Sequence, residues 1–241
     1  MSRGYEVLAK VEATRTFCSL PALFELAATF LESPSEAIRT SSQQFIISLI
    51  INCIPQKVII RPTTEDTEVL EKLAKIVTQL LSVRYQGAWM EVFDIVGVFL
   101  ENLKWRANPL LIEAVKTIGD LRSNEGFQGK IQADSVLGYA IHAMGPQAVL
   151  TALPLNLAKP SPGQPGRAWM LPLLRDHVSN TNLAHFISEF VPLSEMIFQK
   201  VVDNAGSEKT MEIKIYETLV QQIWAILPGY CDSPLDLQKV N

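Results

Sequence analysis

Histidine and cysteine are scarce in this sequence, with three of each among 241 residues. Cys18, Cys53 and Cys231 stand too far apart for a disulfide framework or a zinc site, and such sparing use suits a reducing compartment. His142, His177 and His185 offer no pair at the one-turn spacing of a helical metal site, and no cysteine stands near His177 or His185. Long apolar runs are missing too. The longest, residues 45–54, contains Ser48 and Asn52 and falls short of the ~20 residues that cross a bilayer, so no membrane partner is expected. No apolar stretch follows Met1-Ser2-Arg3-Gly4-Tyr5-Glu6 to make a signal peptide. Basic charge is not in excess: 21 Lys and Arg against 25 Asp and Glu leave a net charge of −4. Binding that runs on many phosphate contacts needs a dense basic surface, so direct RNA contact gains no support from charge. No basic cluster resembles a nuclear localisation signal. G-x-S-x-G, Walker A, H-E-x-x-H and a glycine-rich phosphate loop are all absent from the sequence. With them go the usual grounds for an enzyme, a cofactor or a small-molecule substrate.

What is present is apolar residue in quantity, 48% of the chain, arranged with a helical period. Leu20, Leu23, Phe24, Ala27, Phe30 and Leu31 recur at spacings of three and four. The stripe of Val69, Leu70, Leu73, Ile76, Val77, Leu80 and Leu81 is cleaner, and a third runs from Trp89 through Phe93, Val96 and Phe99 to Leu103. Later stripes pass through Ala114 and Ile118, through Leu137 and Ile141, through Phe186 and Phe190, and through Leu219, Ile223 and Trp224. Each gives one helix an apolar face. Start signals agree with them: Ser33 before Pro34 and Glu36, Thr64 before Glu65 and Asp66, Asn108 before Pro109. Pro55, Pro154 and Pro228 each follow an apolar pair and mark stops. Residues 57–61, bracketed by Pro55 and Pro62, read as a loop.

The helices pair into hairpins over residues ~20–54, ~66–104 and ~109–144, a unit close to the ~40–47 residues of HEAT and armadillo repeats. One hairpin cannot bury both its faces, so neighbours must stack. The expected fold is all-α, an α-solenoid of HEAT/armadillo-like helical hairpin repeats forming a single segment over residues 1–241. A compact helical bundle is the rival, and it would need no recurring unit length. The period breaks over residues 154–168, where Pro154, Pro160, Pro162, Pro165, Gly163 and Gly166 forbid a helix. That stretch reads as a Pro/Gly-rich inter-repeat loop, open to proteolysis near Lys159 or Arg167.

Candidate contact residues follow from the polar and aromatic groups the stripes leave over. Trp89 and Trp224 lie on stripes and read as core, whereas Trp105, at a helix end between Lys104 and Arg106, is the best candidate for an exposed aromatic flanked by charge, the default reading being an ordinary hairpin-turn tryptophan. Trp169 opens an apolar run that ends in Arg175-Asp176-His177. Tryptophan and arginine are the residues most enriched at binding hot spots, which makes Trp169, Arg175, Asp176 and His177 candidate partner contacts alongside Trp105. The structural alternative is the default: Asp176 caps the next helix, and Arg175 pairs with a carboxylate of the adjacent repeat. Cys231 has no evident base and reads as a packed thiol.

Three ordered blocks carry a resemblance. Gly145-Pro146-Gln147-Ala148-Val149-Leu150 precedes Leu153-Pro154-Leu155-Asn156-Leu157; Trp169-Met170-Leu171-Pro172-Leu173-Leu174-Arg175-Asp176-His177 precedes Leu183, Phe186, Phe190, Pro192 and Leu193; Gln222-Ile223-Trp224 precedes Leu227-Pro228-Gly229-Tyr230-Cys231. Together they resemble the ribosomal RNA-processing protein 12 family. The resemblance implies a non-enzymatic HEAT-repeat scaffold of ribosome biogenesis, engaged in pre-ribosomal RNA processing, small-subunit assembly and nuclear export. It further implies a nuclear and nucleolar location, no cofactor, and protein components of pre-ribosomal particles as partners. The family is similar to nuclear transport receptors, so the alternative is a karyopherin-like transport adaptor that binds a small GTPase or Phe-Gly repeats. An enzyme built on Cys231 or His177 is a third reading, with no motif behind it.

Overall fold

The computed structural model describes residues 2–157, 166–203 and 211–237. The chain is all-α, with no strand among the described residues. It divides into two compact units, Met1–Met144 and Gly145–Asn241.

The first unit runs α1 (Ser2–Val11), α2 (Ala13–Leu31), α3 (Glu36–Cys53), α4 (Gln56–Ile60), α5 (Thr64–Gln79), α6 (Trp89–Leu103), α7 (Ala107–Leu110), α8 (Ile112–Ser123) and α9 (Lys130–Met144). The hairpins expected from periodicity are α2/α3, α5/α6 and α8/α9. First helices pack on first helices, α2 on α5 and α5 on α8, while second helices pack on second, α3 on α6 and α6 on α9. This is the neighbour-to-neighbour burial of a repeat array. The middle of the second-helix layer is the driest part of the unit. Val92, Phe93, Ile95, Val96, Phe99, Leu100 and Leu103 of α6 are all fully buried, because α3 covers one side and α9 the other. A Cβ added to Gly97 would lie 3.1 Å from the Tyr139 ring, so the glycine lets α6 and α9 close on each other.

Polar rungs fix the register between layers. The Arg39 Nε donates to Glu91 at 2.9 Å, and the Gln43 side-chain amide donates to Asp94 at 2.6 Å, tying α3 to α6 at one-turn intervals. Burial raises the Asp94 carboxyl above its ordinary value, and the bond from Gln43 works against that shift. Within the last hairpin Arg122 forks onto Asp134 at 2.6 and 3.2 Å. Local starts differ by a residue or two from the sequence signals. Thr63 rather than Thr64 caps α5, in a capping box where its hydroxyl accepts from the Asp66 amide and the Asp66 carboxylate accepts from the Thr63 amide. Ser35 is the N-cap of α3, and the Ser33 hydroxyl accepts from the Ser35 amide at 3.2 Å. Residues 57–61 are not a loop. They belong to the one-turn helix α4 and its C-cap Arg61, with Val58 and Ile59 buried and Pro55 at the N-cap, where a missing N–H costs no helical bond.

The second unit runs α10 (Pro146–Ala152), α11 (Met170–His177), α12 (Leu183–Asp203), α13 (Met211–Trp224) and α14 (Leu227–Cys231). Helix α12 pairs with α13, and α14 packs on both α11 and α12. The core here is aromatic: Phe186 lies 5.4 Å from both Phe190 and Tyr230, ring centre to ring centre. Backbone bonds from Asn180 to Asp232 (2.9 Å) and from Leu235 to Thr181 (3.0 Å) bring the end of the described chain onto the start of α12. There Asp236, itself buried, accepts from the amides of Leu183 and Ala184 at 2.8 Å each.

Residues 158–165 of the expected Pro/Gly-rich loop, Lys159 included, lie outside the described residues. Arg167, expected to be a protease site, is buried. Its amide donates to the Leu155 carbonyl at 2.7 Å and its guanidinium to the Pro154 carbonyl at 2.9 Å. Cleavage after Arg167 is therefore not expected, because its backbone is tied down.

One glycine gives a direct test of packing. A Cβ on Gly229 would meet the Val178 carbonyl oxygen at 2.6 Å, a backbone atom with no rotamer to retreat into. Gly229→Ala is expected to cost about 1–3 kcal/mol, as overpacking does, read as a lower urea midpoint at unchanged m-value. An unchanged midpoint would mean that α14 slides away from Val178 freely.

Candidate interaction surfaces

Trp105 sits in the 3₁₀ segment Lys104–Arg106 that follows α6, after a sharp turn in which Lys104 takes a φ of 54°. The Arg106 guanidinium turns inward and donates to the Ile59 carbonyl at 2.7 Å, which leaves the indole on the surface with 57% of its area exposed. Of the two charges flanking Trp105, Arg106 is thus engaged with the first unit's own backbone.

The other candidates share one short helix. Trp169 is the half-buried N-cap of α11, and Arg175, Asp176 and His177 form its last turn. Neither structural role expected of the pair is seen. Arg175 forks onto its sequence neighbour Asp176 at 2.7 and 2.9 Å rather than reaching another repeat, and both side chains are about half exposed, at 52% each. Hydrogen bonds from Arg175 lower the Asp176 carboxyl below its ordinary value. The cap that Asp176 was expected to provide comes from Asp236. The inter-layer rungs that Arg175 was expected to make occur instead at Arg39–Glu91 and Gln43–Asp94. Trp105 belongs to the first unit, Trp169 to His177 to the second.

Two further sequence expectations are overturned. Trp224 is not core: it is 45% exposed, and its ring stands edge-on to Phe186, 5.7 Å away. Cys231 is an exposed thiol, not a packed one. The residue buried beside it is Tyr230, whose hydroxyl lies 2.7 Å from the His185 Nδ1. Burial holds His185 below its ordinary pKa, against the pull of Glu189, and holds Tyr230 well above its own. That pair serves the core of the unit.

Sequence reasoning missed the grooves. One of about 660 Å³ lies between α1, α2 and α3, lined by Tyr5, Leu23, Leu26, Phe30, Ile38 and Phe45. Another, of about 600 Å³, lies between residues 150–157 and α12. A smaller one, about 380 Å³, runs over α3, α6 and α9 past Asp94, Glu101 and Tyr139. The first had a signal: Leu26 adds a second edge to the α2 stripe, making it wider than one helix contact can cover. Phe30, a member of the α2 stripe, is 52% exposed on that edge. Among the described residues no three His, Cys, Asp or Glu side chains could hold a metal ion, and no helix is long and apolar enough to cross a membrane.

Stacked helical hairpins with exposed aromatics and apolar grooves define a HEAT-repeat protein. The family model described as ribosomal RNA-processing protein 12, HEAT repeats, matches residues 32–240, and the chain belongs to that family. A relative from Schizosaccharomyces pombe is 39% identical over 217 residues, covering 90% of this chain and 18% of the relative. Ribosomal RNA-processing protein 12 of Saccharomyces cerevisiae is 30% identical over 98% of this chain and 20% of its own length. The RRP12-like protein of Homo sapiens is 32% identical over 90% of this chain and 17% of its own length. The chain thus spans about one fifth of the length of the curated relatives it matches.

Proposed function

We propose that this chain is a HEAT-repeat segment of a ribosomal RNA-processing factor, acting in the nucleus and nucleolus as a scaffold without catalysis or cofactor. The observation that carries the reading is the family match across residues 32–240, together with relatives named for ribosomal RNA processing. Its partners are protein components of pre-ribosomal particles, and its task is to hold them during small-subunit assembly and export. The net charge of −4 favours protein over RNA as the direct contact. Trp105 and the α11 group of Trp169, Arg175, Asp176 and His177 are the proposed contacts, since exposed Trp and Arg carry much of the energy at protein interfaces.

Affinity capture from nuclear extract, with and without nuclease, tests the reading. Pre-ribosomal proteins should be recovered, and some should stay bound after nuclease. Recovery of a small GTPase or Phe-Gly proteins alone would favour a transport adaptor. Loss of every partner with nuclease, joined to tight and steeply salt-dependent RNA binding by the purified chain, would overturn the protein-scaffold reading. Arg175→Ala should leave stability within about 0.5 kcal/mol, as exposed substitutions do, while lowering capture. Undiminished capture would remove α11 from the interface.

A further inference from the structure

The second helices of the first unit pack side by side, and the groove of about 380 Å³ crosses them over α3, α6 and α9. Helix α6 supplies its middle. Asp94, Val98 and Glu101 follow one another at spacings of four and three, so they share one helix face with an apolar side chain between two carboxylates. Seven residues at 1.5 Å of rise set Asp94 and Glu101 about 10 Å apart along the axis. Ile47 of α3 adds to the lining, as do Ile131 and Tyr139 of α9. Ile131 is 82% exposed and Tyr139 37%, so the groove holds large apolar side chains against water.

The charge of the groove is of one sign. Its ten lining residues include two carboxylates and no Lys, Arg or His. Lys104 and Lys130, the cations closest to it in sequence, do not line it. Arg39 is engaged with Glu91, and Arg122 with Asp134. Asp94 accepts from a neutral donor, the Gln43 amide, and Glu101 makes no ion pair among the described residues. Burial, and after it the nearby Glu91, hold the Asp94 carboxyl above its ordinary value, and a cation placed there would relieve both.

We infer that this groove binds a segment of a partner protein that carries Lys or Arg on either side of an apolar side chain. The two cations meet Asp94 and Glu101, and the apolar side chain packs on Val98 beside Ile131 and Tyr139. Charge complementarity selects this occupant. An RNA backbone would set its phosphates against two carboxylates. A purely apolar or acidic segment would cover both carboxylates and leave them unpaired, which costs more than leaving them in water. The groove shares no residue with the proposed contacts at Trp105 and α11, and the inference stands whether or not those are correct.

The test is fluorescence anisotropy of the dye-labelled peptide Gly-Ser-Lys-Arg-Leu-Lys-Arg-Ser-Gly, titrated with the full chain. Binding should saturate at one peptide per chain and weaken as salt rises. Asp94→Asn combined with Glu101→Gln keeps an acceptor for Gln43 and should weaken binding about tenfold, since two partly shielded ion pairs are lost. Ile131→Ser changes a side chain already in water, so it should keep the parent's circular dichroism and melting temperature while weakening binding about threefold. Glu65→Gln combined with Glu68→Gln removes two exposed carboxylates of α5, the same change in net charge, and should leave affinity unaltered. A peptide with Ser in place of Leu should bind more weakly, and one with Glu in place of every Lys and Arg should not bind. Absence of saturable binding by the parent would overturn the inference. So would parental affinity in both groove variants, an equal loss in the α5 control, or indifference to the Leu-to-Ser change. Tighter binding of a uridine homopolymer than of the peptide would overturn it as well. None of these outcomes bears on what the chain captures from nuclear extract, so the two readings fail separately.

Discussion

Tyr230→Ala is expected to lower the stability of the second unit by about 3–5 kcal/mol, the cost of emptying a large aromatic site in a core that cannot fully collapse. Tyr230 is fully buried and touches His185, Phe186 and Phe190 at ring-centre distances of 5.9, 5.4 and 5.9 Å. Urea unfolding followed by the fluorescence of Trp169 and Trp224, which both lie in this unit, reads the effect. Trp224→Ala, expected from sequence to be as severe, should cost well below that, because nearly half the side chain is in water already. If Trp224→Ala proves the worse of the two, the aromatic core is centred elsewhere. The same residues set a pH dependence with two arms. Burial holds the His185 imidazole neutral to lower pH than in the unfolded chain. As pH falls below about 6.5 the unfolded state therefore binds more protons and stability drops. Burial also keeps the Tyr230 phenol protonated to higher pH than in the unfolded chain, so stability drops again as pH rises above about 10. Tyr230→Phe should shrink the alkaline arm while leaving an acid arm from His185, whose main cause is burial rather than the tyrosine. Unfolding midpoints measured across pH separate the two.

The hairpins were legible because helical periodicity is a local signal repeated many times. The stripe from Trp89 to Leu103 and the proline stops mark α6 and the ends of α3 to within a residue or two. What a stripe does not reveal is how much of it is covered. Phe30 and Trp224 both lie on good stripes and both are about half exposed, because burial depends on which neighbouring layer is present rather than on the helix itself. Polar partners were harder still. Arg175 and Asp176 are adjacent in sequence and pair with each other, whereas the bonds that hold layers together join Arg39 to Glu91 and Gln43 to Asp94 across some fifty residues. Nothing in the spacing of those charges announces them. The exposed indole at Trp105 could be read, since a tryptophan outside every stripe and between two cations has little apolar surface to join.

Asp236→Ala is the second large effect, expected to cost about 2–4 kcal/mol from the loss of two charge-assisted bonds to backbone donors at a helix start. The carboxylate accepts from the amides of Leu183 and Ala184, at 2.8 Å each, so that α12 is capped from a residue more than fifty positions away. A local cap lost from an exposed helix end is replaced by water at modest cost. Here the cap is buried, at 6% exposure, and alanine would leave two donors with a void beside them. The favourable placement of a negative charge at the positive end of a helix of 21 residues is lost as well. Asp236→Asn keeps the shape and one acceptor oxygen, so it should fall between alanine and the parent. Asp176→Ala, which removes an exposed carboxylate paired with its own neighbour, should shift stability by no more than about 0.5 kcal/mol. The readout is hydrogen exchange at the first turn of α12 together with the urea midpoint. Asp236→Ala should speed exchange at Leu183 and Ala184 far more than in α13, because the chain from Asp232 to Asp236 is held to residues 180–184 by that cap and by the bonds at Asn180 and Leu235. Exchange rising equally across the whole unit would mean that the cap contributes to global stability without organising the start of α12. An Asp176→Ala effect as large as that of Asp236→Ala would return the capping role to the residue sequence had suggested.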